Sequence, residues 1–166
     1  MLTNFDIERI AKKLDLPIIG VYSKDELANV KRKIGSYYIN MQDSDAGAGS
    51  HWVFAKIYSD DDRDNNSSDS DSDAKPNAIY FDSFGLGMPI EVSNFLKPFK
   101  PVYCNNRQIQ AINTSQCGWY CLICDYYLEH AQHSKTYLED YSKFISIFSD
   151  KLNKNLTILK ALFKPL

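Results

Sequence analysis

The residues best suited to chemistry lie between Gln110 and Trp119 (QAINTSQCGW). Cys117 stands directly before Gly118 and ahead of a run, Trp119 to Leu128, that is apolar on every side. This pattern predicts a buried helix with Cys117 in its first turn. A helix N-terminus favours a thiolate, because its unpaired N–H groups and the macrodipole stabilise negative charge. The same N–H groups can receive an oxyanion, and Gly118 removes side-chain bulk where a carbonyl must approach. A thiolate nucleophile needs a base, and the chain has three histidines, His51, His130 and His133. Thirteen helical residues put His130 roughly 20 Å from the thiol, which excludes it and His133. His51 opens a strand directly after a loop containing Gly47, Ala48 and Gly49, so it is the base. Its tautomer needs an acceptor, and Asp82 ends the strand expected to pair with that of His51. Gln110 can donate a side-chain N–H to the oxyanion, with Gln108 as an alternative of opposite facing.

The plainer readings are a structural thiol, a surface histidine, a turn aspartate and an ordinary strand glutamine. The Gln110-to-Cys117 spacing and the single plausible base favour the chemical reading. Trp52, Gly118 and Gly49 are expected to border a bound substrate, with Trp52 as core or cleft wall.

These residues must be held by a scaffold, and the chain supplies one. Phe5, Ile7, Ile10, Ala11 and Leu14 recur at helical spacing, with Asn4 or Asp6 as cap. Ile18 to Tyr22 reads as a short buried strand, and Ser23 with Glu26 as a capping box opening a short helix. Strands are expected over 36–41, 51–58 and 78–82, a short helix over 90–97, and two strands over 102–104 and 107–112, or one strand with a bulge. The buried helix follows, then amphipathic helices near 136–150 and 155–163. The sum is α+β, a small mostly antiparallel sheet with helices packed against it, in one domain of 166 residues.

Hydrophobic residues make up 44% and charged residues 24%, the balance of a globular chain. No apolar run reaches the ~18 residues of a membrane helix, and acids near the N-terminus argue against a secretory leader. Four cysteines in a chain this long do not make a disulfide scaffold, so reduced thiols are expected. The net charge of −2 hides an asymmetry: residues 59–75 hold seven Asp against Arg63 and Lys75, a local −5 that leaves +3 elsewhere. The acidic stretch 59–77 reads as a solvated, disordered hairpin tip. Asp69, Asp71 and Asp73 lack the glycine and glutamate of a calcium loop. Cys117, Cys121 and Cys124 form a stripe at i, i+4, i+7, but no second cysteine pair completes a zinc site, so no metal or other cofactor is expected. The lysines and tyrosines of 135–164 do not cluster into a nucleic-acid motif.

His51-Trp52, then Tyr80 to Gly85 (YFDSFG), then Gln110, Asn113 and Cys117-Gly118 together resemble the adenovirus endopeptidase pattern. The stretch Ile19 to Leu27 (IGVYSKDEL) is similar to the proteases of virophages and Maverick/Polinton elements, and the resemblance spans roughly residues 15–130. It implies a papain-like cysteine peptidase in circularly rearranged order, with His before Cys. It implies a monomer that cleaves capsid precursors after Gly-Gly or Gly-X-Gly, in the virion or a viral factory of the host cell. DNA or a capsid-derived peptide would be activators, with Cys104 as a tether for the peptide; a plain strand cysteine is the other reading. By position Cys117 is the nucleophile, His51 the base, Asp82 its orienting acid, and Gln110 with the Cys117 N–H the oxyanion hole. The chain departs in having Asp where adenoviruses often have Glu, Gln116 where related peptidases favour Asp, and the acidic insertion. The alternatives are a peptidase for ubiquitin-like modifiers and a non-catalytic capsid- or DNA-binding scaffold of the same fold.

Overall fold

The computed structural model describes residues 1–47, 50–60, 76–130 and 134–164. Helix α1 (Asn4–Lys13) leads into strands β1 (Ile18–Ser23), β2 (Gly35–Asn40), β3 (Trp52–Tyr58) and β4 (Asn77–Phe81). Then come α2 (Ile90–Leu96), β5 (Val102–Cys104), α3 (Cys117–His130), α4 (Tyr137–Ile147) and α5 (Leu152–Phe163). The five strands form one sheet in the order β1-β2-β3-β4-β5. The α+β class holds, but the sheet is mixed: the two central pairings are antiparallel, and β1 and β5 join at the edges in parallel.

Strand side chains alternate between two cores, as the period of two requires. Tyr38, Trp52, Phe54, Tyr58, Ile79 and Phe81 face α1, α3 and α4, whereas Tyr37, Ile39, Val53, Ala55, Ile57 and Tyr80 face α2. With both faces covered, β3 is buried along its whole length, which is why its sequence reads as a nearly unbroken apolar run. The interruption is Lys56, only 2% exposed. Its ammonium donates to Ser36 Oγ at 3.1 Å, lies 3.6 Å from Asp125 and pairs with Glu129. Asp125, on α3, also accepts from Ser36 Oγ at 2.7 Å and from the Tyr38 hydroxyl at 2.8 Å. Burial works against the Lys56 charge, but Asp125 and Glu129 outweigh it and raise its pKa. This satisfied polar cluster fixes α3 along β2 and β3, and hence fixes where Cys117 begins.

Several local expectations change. The cap of α1 is Thr3, reciprocally bonded with Asp6, rather than Asn4 or Asp6. Phe5 is 82% exposed, because it lies on the opposite side of α1 from Ile7 and Ala11. Strand β1 is half-buried, as an edge strand. The Ser23–Glu26 box forms, with Glu26 Oε2 accepting the Ser23 N–H at 2.7 Å, but it opens a 3₁₀ turn over Lys24–Asn29. Residues 107–112 make no strand, because the Ile109 and Gln110 N–H groups both turn to the Ser83 carbonyl, each at 2.9 Å. Tyr58 pairs with Asn77 at the base of the expected hairpin, while residues 61–75 of the acidic stretch lie outside the described residues.

Candidate active site

Antiparallel pairing brings the start of β3 beside the end of β4. The register sets Phe54 opposite Phe81. Continued outward, it brings His51 against the turn after β4: its ring stacks on Phe84 with centroids 4.5 Å apart, and its Nε2 meets Asp82 Oδ1 at 2.8 Å. Asp82 is 2% exposed. The same Oδ1 accepts the Phe84 N–H at 2.8 Å, so the carboxylate is aimed before the imidazole arrives. A carboxylate only accepts, so Nε2 carries the proton and Nδ1 is left to exchange one.

Helix α3 lies along β3 on the same side. The Trp52 N–H donates to Cys117 Sγ at 3.4 Å, and one turn later the Cys121 thiol donates to the Trp52 carbonyl at 3.4 Å. One residue of β3 therefore fixes two turns of α3, and its neighbour is His51. Nδ1 of His51 is buried without a formed hydrogen bond, and Cys117 is close enough for each group to shift the other's titration. Burial alone would lower the His51 pKa, but the hydrogen bond and charge of Asp82, with the nearby Cys117 sulfur, raise it to about 9. Burial likewise opposes a Cys117 thiolate. The His51 side chain, the Trp52 N–H, the His51 charge and the Gly118 N–H outweigh it and hold the thiol below its ordinary value. Both shifts run in the direction of a thiolate–imidazolium pair. The other helix cysteines shift the opposite way: burial raises the Cys121 and Cys124 pKa values far above the ordinary value.

Gln110 is 1% exposed, at the head of the loop that feeds α3. Its Oε1 accepts from Ser83 Oγ at 2.6 Å, and its Nε2 donates to the Thr114 carbonyl and hydroxyl, each at 3.0 Å. Gln108 instead donates to the Gln110 carbonyl at 2.8 Å. The Asp82 turn and the Gln110 loop are packed backbone to backbone at Gly85, whose φ is +67°. A Cβ there would stand 2.6 Å from the Arg107 carbonyl carbon, so the approach needs glycine. Asn105, which the sequence reading missed, ties the same region together. It accepts the Asp82 N–H at 3.0 Å and donates to the Asp82 carbonyl at 2.6 Å. The Tyr141 hydroxyl bridges Asn105 and the Tyr80 carbonyl. The Asn105-Asn106 pair after a short strand was the available signal.

Trp52 is fully buried, on the core face of β3, and its indole N–H donates to the Leu2 carbonyl at 2.9 Å. Leu2 also covers Gly118, with its Cδ1 3.2 Å from where a Cβ would be. Of the two roles expected for Trp52, core is the one this arrangement displays, and a cleft-wall role requires Leu2 to move. Gly49 and His133 lie outside the described residues. His130 sits at the far end of α3 against Tyr126 and the Leu14 carbonyl. Cys104 is free and exposed on the edge strand β5. Among the described residues no His, Cys, Asp and Glu side chains cluster as metal ligands, and no helix is long and apolar enough to cross a membrane.

The fold has counterparts among solved structures. A crystal structure of ASFV pS273R protease matches with 18% identity and a TM-score of 0.50, covering 87% of this chain and 65% of that one. A selenomethionine form matches with 17% identity and a TM-score of 0.53, covering 98% and 66%. The chain thus has the fold of a papain-like cysteine protease and spans just under two thirds of the length of those proteins. No protein-family model and no curated protein matches it.

Proposed function

We propose that this chain is a viral cysteine endopeptidase of the adenovirus-endopeptidase type, with Cys117 as nucleophile, His51 as base and Asp82 as orienting acid. The observation that carries the reading is geometric: Cys117, in the first turn of α3, has its Sγ held by the Trp52 N–H at 3.4 Å, next to His51, whose Nε2 meets the buried Asp82 carboxylate at 2.8 Å, and the shifts of His51 and Cys117 run the way this placement requires. A purely structural thiol in this core behaves as Cys121 does, pushed up by burial.

The Cys117 thiolate attacks a peptide carbonyl carbon. A C–S bond forms and the carbonyl π pair moves to oxygen, where the Cys117 N–H and the Gln110 amide receive it. Collapse of this intermediate breaks the C–N bond, and His51 Nδ1 gives its proton to the leaving amine. Water then loses a proton to Nδ1, adds to the thioester carbon, and the C–S bond breaks to return the thiolate. Throughout, Asp82 holds Nε2–H, so the imidazolium is stabilised and the ring does not rotate.

The proposed substrates are capsid precursors cut after Gly-Gly or Gly-X-Gly within the virion or viral factory, by a monomer that DNA or a capsid-derived peptide activates. Purified protein, with and without DNA, is incubated with a capsid precursor and with a Gly-Gly-tailed ubiquitin-like modifier. Cleavage of the first alone, lost in Cys117→Ala, supports the proposal. Cleavage of the modifier alone makes the chain a deconjugating peptidase. Particle assembly unaffected by Cys117→Ala makes it a scaffold.

A further inference from the structure

Resting on the reading of Gln110 as an oxyanion donor, we infer that Ser83 is a positioning residue that orients the Gln110 amide. An amide side chain has two ends of nearly equal shape and opposite chemistry, and only the NH₂ end can stabilise an oxyanion. At one end the Thr114 carbonyl, which can only accept, faces Nε2 at 3.0 Å. The Thr114 hydroxyl spends its own proton on the Ala111 carbonyl at 2.6 Å, so it too can only accept from Nε2. At the other end the Ser83 hydroxyl donates to Oε1 at 2.6 Å. When an oxyanion forms, the two Thr114 acceptors, which lie on one residue, would share one Nε2 proton, so that the second turns to the reacting oxygen.

Ser83 is fully buried, and its backbone is committed as firmly as its side chain. Its carbonyl accepts from both the Ile109 and the Gln110 N–H. It also follows Asp82, the partner of His51, directly in sequence. One residue therefore joins the acid that orients the base to the amide that receives the oxyanion. Without the hydroxyl, Oε1 would be buried with no donor, and the amide would gain by rotating away from the Thr114-facing position.

The test uses a substrate ending in Gly-Gly, acetyl-Leu-Ala-Gly-Gly-aminomethylcoumarin, and alkylation of Cys117 by iodoacetamide, a reaction that forms no oxyanion. Gln110→Ala is expected to lower kcat about 10²–10³-fold, as loss of one oxyanion donor does. Ser83→Ala is expected to lower kcat at least about tenfold with KM within about threefold, and Ser83→Thr to restore it. The rate and pH profile of alkylation stay those of wild type. In the Gln110→Ala background, Ser83→Ala has no further effect, because it acts through the amide. Thr114→Val, which keeps the carbonyl and loses the hydroxyl, gives a smaller loss in kcat and serves if Ser83→Ala does not fold. Additive losses, a Ser83→Ala enzyme with full kcat, or a shifted alkylation profile would overturn the inference alone. A wild-type protein that is alkylated at low pH but never cleaves the coumarin amide would overturn it together with the protease reading.

Discussion

Nε2 of His51 donates to Oδ1 of Asp82 at 2.8 Å, across the open end of the β3–β4 hairpin. The bond joins residues 31 positions apart that the hairpin register brings together, and it leaves Nδ1 free to serve the thiol. Asp82→Asn removes the charge that helps raise the His51 pKa and permits the wrong tautomer. Its kcat for a cleaved peptide is expected to fall on the order of 10²–10⁴-fold, the range of general acid–base contributions. Alkylation of Cys117 should need a higher pH than in wild type, read by mass spectrometry across a pH series.

The paired shifts of His51 and Cys117 make the stability of the fold depend on pH. Folded His51 keeps its proton up to about 9, against 6.5 for the free side chain. Between those values folding takes up a proton, so this contribution is full below about 6.5 and is lost as pH rises through about 9. Folding releases a proton from Cys117, whose pKa is lowered, and the two effects offset. Cys117→Ala keeps the Asp82 contribution and loses the offset. Its denaturation midpoint should fall as pH rises above about 6.5, through a window that closes below 9 because Cys117 no longer helps raise the His51 pKa, and fall more steeply than that of wild type; equal slopes would contradict the pairing.

Lys56 anchors α3 from beneath, and removing it leaves the fully buried Asp125, whose pKa burial already raises, without the cation that favours its charged form. Lys56→Met is expected to destabilise the fold by about 3–5 kcal/mol, the cost of breaking a buried pair from one side. Urea denaturation measures this. A loss under about 1 kcal/mol would mean that Ser36 and Tyr38 satisfy Asp125 by themselves.

Leu2 lies on Gly118 and Trp52, beside a thiol residue only 2% exposed. Leu2→Gly uncovers both and should speed alkylation of Cys117 severalfold while leaving the exposed Cys104 unchanged. Equal rates would show that reagents reach the sulfur from another side.

The site was legible to the extent that its residue types were specific. A Cys-Gly pair before an all-apolar helix, one histidine at a strand start and one aspartate at a strand end each had a local reason to be where they are. The residues that hold them were harder to see. Asn105 and Tyr141 act through backbone atoms of distant segments, a role that carries no local pattern. Lys56 breaks the apolar rhythm of β3, but its partners on α3 are about seventy residues away. Residues 107–112 read as a strand because they alternate; their N–H groups go to Ser83, a choice set by the Gly85 turn and not by propensity. Phe5 looked like core because it is apolar, although helical geometry turns it outward.

The central claim is that Cys117 and His51 form a thiolate–imidazolium pair, and it can be tested without a substrate. Reduced protein is treated with iodoacetamide from pH 5 to pH 9 (about one unit apart), and the label is located by mass spectrometry. A free thiol reacts chiefly above about 8.5. Cys117 alone is expected to be labelled at the acid end, and His51→Ala to move its labelling up to the range of Cys104. Labelling of Cys117 that rises only with that of Cys104, and is indifferent to His51→Ala, would contradict it.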